Sequence, residues 1–184
     1  MLIETFEKFI DEISSSLDSG NLTLFDDNQL KWLPDYPRPK VTITLPALAK
    51  NMVLNAPVNM YSMDTVKINK LAIVHIGKTG EIDLLIDTEQ FQFALGSDNS
   101  GIYTIRGKAG YAKIWPRGSG IVDASELVTD SSYVYNNSIG DCKINVKVKL
   151  EVRMNTLGNI IYYGTPGQIV ILEESGSGRL LKAQ

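Results

Sequence analysis

A glycine recurs at nearly constant spacing through the later part of the chain. Gly80, Gly101, Gly120, Gly140, Gly158 and Gly178 are separated by steps of 21, 19, 20, 18 and 20 residues. Carrying the same step backwards reaches Asn59 before VNMYSM, Lys40 before VTITL and Gly20 before NLTL, which makes nine turn-like positions in all. A fixed period of about 20 residues marks a solenoid, in which each repeat is one coil that buries its apolar face only by stacking on its neighbours.

The columns that follow the glycines support the period. Two residues on stand Ile82, Tyr103, Val122, Cys142, Ile160 and Leu180, and four residues on stand Leu84, Ile105, Ala124, Ile144, Tyr162 and Lys182. Between them lie Asp83, Thr104, Asp123, Lys143, Ile161 and Leu181, polar in the first four. This is period-two alternation with one face inward, repeated in register from coil to coil. Parallel pairing would place like positions roughly 4.8 Å apart.

Each coil carries a second strand after a second turn, as in FQFAL (91–95), YAKIW (111–115), SYVY (132–135), VKLEVRM (148–154) and QIVIL (168–172). The expected fold is all-β: one parallel β-helix domain over residues 1–184, with 1–40 an atypical cap with the first coils and 41–184 regular coils. Parallel crossover connections are overwhelmingly right-handed, so that hand is expected here. An antiparallel sandwich with evenly spaced turns is the alternative. The six glycines read as structural corners needing positive φ or close backbone approach.

Phe6, Phe9, Ile10, Ile13 and Leu17 recur at helical spacing, so residues 5–13 are expected to form a short amphipathic helix. It reads as a plug over an open solenoid end, with a partner-binding helix as the other reading. The prolines at 34, 37 and 39, with Trp32 and Tyr36, read as an irregular loop entering VTITL.

The 184 residues carry a net charge of −3 with Lys and Arg scattered, which argues against a basic nucleic-acid face. No apolar stretch approaches transmembrane length. Met1–Thr5 lacks a charged n-region and an apolar h-region, so the chain as given shows no secretion signal. The single cysteine, Cys142, falls in an inward column and reads as a buried thiol.

The inventory for catalysis is thin. His75 is the only histidine, set in the apolar strand LAIVHIG, and no histidine-based metal cluster or phosphate loop is present. No enzyme activity, cofactor or metal site is expected. The exception considered is Asp123 with Asp141, on successive coils and about 8 Å apart by strand spacings, a separation compatible with an inverting glycosidase. Exposed aromatics are the stronger resource: of Tyr103, Tyr111, Trp115, Tyr133, Tyr135, Tyr162 and Tyr163, alternation leaves Trp115 and Tyr163 as the first-choice binding residues.

At GSGIVDASEL (118–127), SIGDCKINVKVKLEV (138–152), LGNIIYYGTP (157–166) and SGSGRLL (175–181) the chain resembles a bacterial family, the putative auto-transporter adhesin, head GIN domain. Gly158, Asn159, Ile160, Tyr162, Gly164 and Pro166 match its closing motif, and Gly118, Ser119, Gly120, Ala124 and Leu127 match an earlier coil. The resemblance implies a β-helix domain exported to the cell surface, outer membrane or periplasm, with an adhesive role and no catalytic residues. Corners such as Lys78-Thr79-Gly80 lack the family's Ser-Gly-Ser-Gly form, which weakens a ligand role for those serines. Family members usually carry an export signal and further strands before this point. The expected partner is a surface glycan or protein, with neither nucleic acid nor a membrane span involved. Assembly of copies end to end through the open edge strands is the alternative role.

Overall fold

A computed structural model of the chain describes residues 2–4, 11–27, 39–44 and 50–183. The chain divides into two compact units, Met1–Pro46 and Ala47–Gln184.

The first unit contains β1 (Leu2–Glu4), β2 (Ile13–Asp18), β3 (Asn21–Asp26) and β4 (Lys40–Thr42). β2 and β3 pair antiparallel, with Leu17 opposite Leu22 and Asp18 opposite Asn21. Ser19 and Gly20 form the connecting turn with φ of 49° and 82°. Two positive φ values in a two-residue loop match the twist of an antiparallel hairpin, and Gly20 supplies one of them without a Cβ penalty. β1 pairs antiparallel with β4, and Lys40 Nζ lies 3.0 Å from Glu4 Oε2.

These pairings correct the sequence reading at three points. NLTL and VTITL are not solenoid coils, because alternation defines a strand's faces but not the direction of its partner. The regular coils therefore start after 50 and not at 41. The helix expected over 5–13 is not seen: 5–10 lie outside the described residues, 11–12 make a short 3₁₀ turn, and Ile13 and Leu17 belong to β2. The proline loop lies outside the described residues except at Pro39.

The second unit contains the remaining strands. They are β5 (Asn51–Leu54), β6 (Val58–Tyr61), β7 (Val66–Lys67), β8 (Lys70–His75), β9 (Gly80–Leu95) and β10 (Ile102–Trp115). After these come β11 (Arg117–Gly118), β12 (Ile121–Ser138), β13 (Cys142–Met154), β14 (Ile160–Tyr163), β15 (Gln168–Glu174) and β16 (Leu180–Lys182). Every ladder in this unit is parallel. The result is a β-solenoid of about seven turns.

The long strands bend, and burial records where. In β9 the buried residues are Ile82, Leu84, Ile86 and Thr88, then Phe91, Phe93 and Leu95. The inward parity changes from even to odd, which is what a corner between two walls of one coil produces. The first wall stacks Met60, Ile82, Tyr103, Val122, Cys142, Ile160 and Leu180 in register. The second stacks Met52, Ile73, Phe93, Ile114, Val134, Val152 and Ile171. Both walls feed one apolar core, in which the middle rungs are fully buried. Each buried Leu, Ile or Phe contributes about 1.5–3 kcal/mol.

The six column glycines are dictated by close approach. None of them has positive φ; in the second unit that conformation occurs at Gly107, Gly118 and Gly164. A Cβ on Gly101, Gly140, Gly158 or Gly178 would strike the carbonyl of the glycine one coil earlier. On Gly80 it would strike the Val58 carbonyl, and on Gly120 the side chains of Leu95 and Tyr103.

Two buried asparagines tie these corners together. Asn99 donates to the carbonyls of Gly77 (2.5 Å) and His75 (3.3 Å), and accepts from the Gly101 amide at 3.4 Å. Asn136 donates to the carbonyls of Gly140 and Asn159 and accepts from the Ser138 amide. Such bonds satisfy turn groups that water cannot reach.

Candidate binding face

The outer side of the second wall collects the aromatic residues. In β10, Ala112 and Ile114 point inward, so Tyr111, Lys113 and Trp115 point outward. In β12, Ser132, Val134 and Asn136 point inward, so Tyr133 and Tyr135 point outward. Lys113 pairs in register with Tyr133, which puts the β10 triplet beside the β12 pair. The Trp115 and Tyr135 rings stack, with centroids 5.4 Å apart and planes 19° from parallel. The Arg117 guanidinium lies 4.8 Å from the Trp115 ring centre, and Lys113 Nζ lies 5.9 Å from that of Tyr133. Tyr135 is held further by a 2.7 Å bond that its hydroxyl accepts from Asn155 Nδ2. The indole Nε1 of Trp115 is buried without a partner.

These contacts rank the aromatics by availability. Trp115 is half-buried and its ring is engaged by Tyr135 and Arg117. Tyr111 is 40% exposed and borders an open groove of about 230 Å³ that also meets Lys50, Lys70, Gln90, Gln92 and Lys113. Burial, followed by the Glu151 charge, raises the Tyr111 phenol above its ordinary range.

Tyr163 does not join this group. It follows the inward-facing Tyr162 in β14 and pairs in register with Asn145, on the first wall. Trp115 and Tyr163 therefore belong to different walls and cannot form one patch. The sequence reading puts Trp115 and Tyr163 ahead of Tyr111, because the groove beside Tyr111 is assembled from several coils and leaves no local signal.

The acids of the first wall are structural. Asp123 accepts from Lys143 Nζ at 2.8 Å and from the Ser125 hydroxyl at 2.5 Å. Burial alone would raise its carboxyl, but the Lys143 and Ser125 bonds outweigh burial and hold it below the usual carboxylate range. Asp141 Oδ1 accepts from both the backbone amide and the side-chain amide of Asn159. A glycosidase acid needs a raised carboxyl facing a substrate groove, and Asp123 is shifted the other way. His75 is fully buried, with Nε2 3.3 Å from the Ala56 carbonyl and Nδ1 3.1 Å from the Tyr103 hydroxyl. Among the described residues no group of three His, Cys, Asp or Glu side chains is placed to hold a metal ion. No helix among them is long and apolar enough to cross a membrane.

The stacked coils define a parallel β-solenoid that carries an aromatic cluster on the outer side of its second wall. The chain belongs to the family described as putative auto-transporter adhesin, head GIN domain, whose model matches residues 1–166. A solved structure of a putative adhesin from Bacteroides fragilis is similar in fold, with a TM-score of 0.87 at 18% identity, covering 98% of this chain and 81% of that one. A putative adhesin from Parabacteroides distasonis matches with a TM-score of 0.63, also at 18% identity, over 96% of this chain and 81% of that one. No curated protein matches the chain.

Proposed function

We propose that this chain is the binding head of an adhesin displayed at the cell surface, and that it holds glycan against the outer side of its second wall. Family membership supports the adhesive role. The observation that carries the glycan reading is the set of Tyr111, Lys113, Trp115, Tyr133 and Tyr135 on one outward face. The aliphatic face of a sugar ring packs on an aromatic ring, and a rigid ladder presents such rings with little entropy to lose. Tyr111 is the ring left open for stacking, while Trp115 and Tyr135 brace each other. A binding head needs no catalytic group, and the Asp123 and Asp141 carboxylates already serve the fold.

A glycan array probed with the folded chain tests this reading. Binding that Tyr111→Ala abolishes and Tyr163→Ala leaves unchanged supports it. A blank array, from a sample whose β signature is intact by circular dichroism, overturns it. Binding to immobilised proteins alone would reassign the face to a protein partner.

A second reading has its own observation. Leu150 and Val152 are fully buried, yet Ile169 and Ile171, their register partners one coil later, are 39% and 50% exposed. We propose that this last coil docks against another copy end to end, as an open parallel edge allows. Light scattering should then show mass rising with concentration, and Ile171→Lys should restore the monomer. A concentration-independent monomer overturns it.

A further inference from the structure

We infer that the groove beside Tyr111 selects acidic glycans, sugar polymers bearing carboxylate or sulfate groups. The inference rests on the glycan reading above and narrows it to a ligand class.

The groove exists because of one small side chain. On the second wall, Asn51, Ala72, Gln92 and Lys113 form one outward column, and Lys70, Gln90 and Tyr111 form the next. Ala72 is short between Asn51 and Gln92, so the column dips there and the longer neighbours make the rim. Lys50, immediately before Asn51, adds a further cation.

The charge of this lining is one-sided. Lys50, Lys70 and Lys113 all border the groove, and no carboxylate does. The chain as a whole has 21 acids and 18 basic residues, so a lining with three lysines and no carboxylate runs against its average, even with Glu151 near enough to act on the Tyr111 phenol. Further along the same wall the cations are neutralised, with Lys149 2.9 Å from Glu151 and Arg153 3.6 Å from Glu173. No ion pair engages Lys50, Lys70 or Lys113 among the described residues.

An ammonium only donates, so three together call for an anion. The amides of Asn51, Gln90 and Gln92 both donate and accept, which suits the hydroxyls of a sugar. Tyr111 supplies the stacking ring. Cations, amides and a ring along successive coils fit an acidic sugar better than a bare anion, which uses neither the acceptors nor the ring.

The test is a titration of the whole chain with hyaluronan as a carboxylate polymer, heparin as a sulfated polymer, dextran as a neutral one, and poly-glutamate as an anion without sugar. Binding to hyaluronan or heparin is expected to exceed dextran, to weaken with salt, and to fall about tenfold in the exposed double variant Lys50→Gln/Lys70→Gln. Whichever acidic polymer binds tighter identifies the anion. Tyr111→Ala should weaken binding to the acidic polymers while leaving any residual poly-glutamate binding unchanged. Equal binding to dextran, or a lysine variant that binds like wild type, overturns the inference and leaves the glycan reading standing. Poly-glutamate binding as tight as the sugars overturns it as charge alone. No binding to any glycan sinks both.

Discussion

The hydroxyl of Tyr103 lies 3.1 Å from Nδ1 of His75, with both side chains fully buried where the coils turn. The Ala56 carbonyl can only accept, so His75 Nε2 carries the proton and Nδ1 is left as the acceptor. Asn99 Nδ2 approaches Nδ1 at 3.3 Å, and the Tyr103 hydroxyl donates to Asn99 Oδ1. The cluster is built for a neutral imidazole.

Stability should therefore fall in mild acid. Burial lowers the His75 pKa below its ordinary 6.5, partly offset by the Ala56 bond. Below about pH 6.5 the unfolded chain takes a proton that the folded chain resists, so stability is lost as pH falls. Asp123 acts in a lower window, since its depressed carboxyl stabilises the fold above about pH 4. Urea titrations between pH 7.5 and 5 should show the His75 loss, and His75→Gln should flatten it. An unchanged slope in that variant would refute the assignment.

The same cluster predicts a loss in alkali. Burial pushes the Tyr103 phenol up to about 12, against an ordinary 10.0. The unfolded chain ionises first, so stability should decline between those two values. Tyr103→Phe should remove that decline and, by leaving Asn99 Oδ1 with only the long bond from the Gly101 amide, destabilise by about 1 kcal/mol in neutral denaturation curves.

Substitution of two glycines should separate close approach from mere flexibility. A Cβ at Gly140 meets the Gly120 backbone, whereas at Gly167 the nearest atom is the Val148 carbonyl at 3.7 Å. Gly140→Ala should destabilise by about 2–3 kcal/mol. Gly167→Ala should stay within about 0.5 kcal/mol of wild type. Similar melting temperatures for the two would contradict the stacked-carbonyl account.

The Cys142 thiol should be silent in the native state. It is fully buried in an inward column, and burial, with lesser contributions from Asp123 and Asp141, raises its pKa far above the usual thiol value. Thiolate is the reactive form, so a disulfide reagent should modify Cys142 only after denaturation. Rapid labelling of the folded chain would show that the first wall opens.

The columns after the glycines are legible in the amino-acid sequence alone. Tyr103, Val122, Cys142 and Ile144 stand inward because period-two alternation is local and survives in each coil. The same local signal misleads in the early part of the chain, since VTITL alternates equally well where its strand pairs antiparallel with β1. Trp115 was recognised as outward, but its stack with Tyr135 is a contact across coils. Neither Asn99 nor Asn136 is legible in the sequence: Asn99 lies in the turn between β9 and β10, where asparagine looks like an ordinary exposed turn residue, and Asn136 lies in β12, where a buried polar residue looks like a break in the pattern.

The amino-acid sequence by itself determined the period, the inward face of each strand and the family. Those follow from residue spacing within single coils and from motifs read along the chain. Tertiary structure decided which outward side chains became neighbours. Register slips between coils, as between Thr104 and Gly107 or Ala124 and Val128, so residues about 20 apart do not always meet. It also decided why the column glycines are glycines, since the obstructing carbonyl belongs to the coil before. The groove arises in the same way: Lys50, Ala72 and Tyr111 are far apart in the chain and adjoin only once the coils stack.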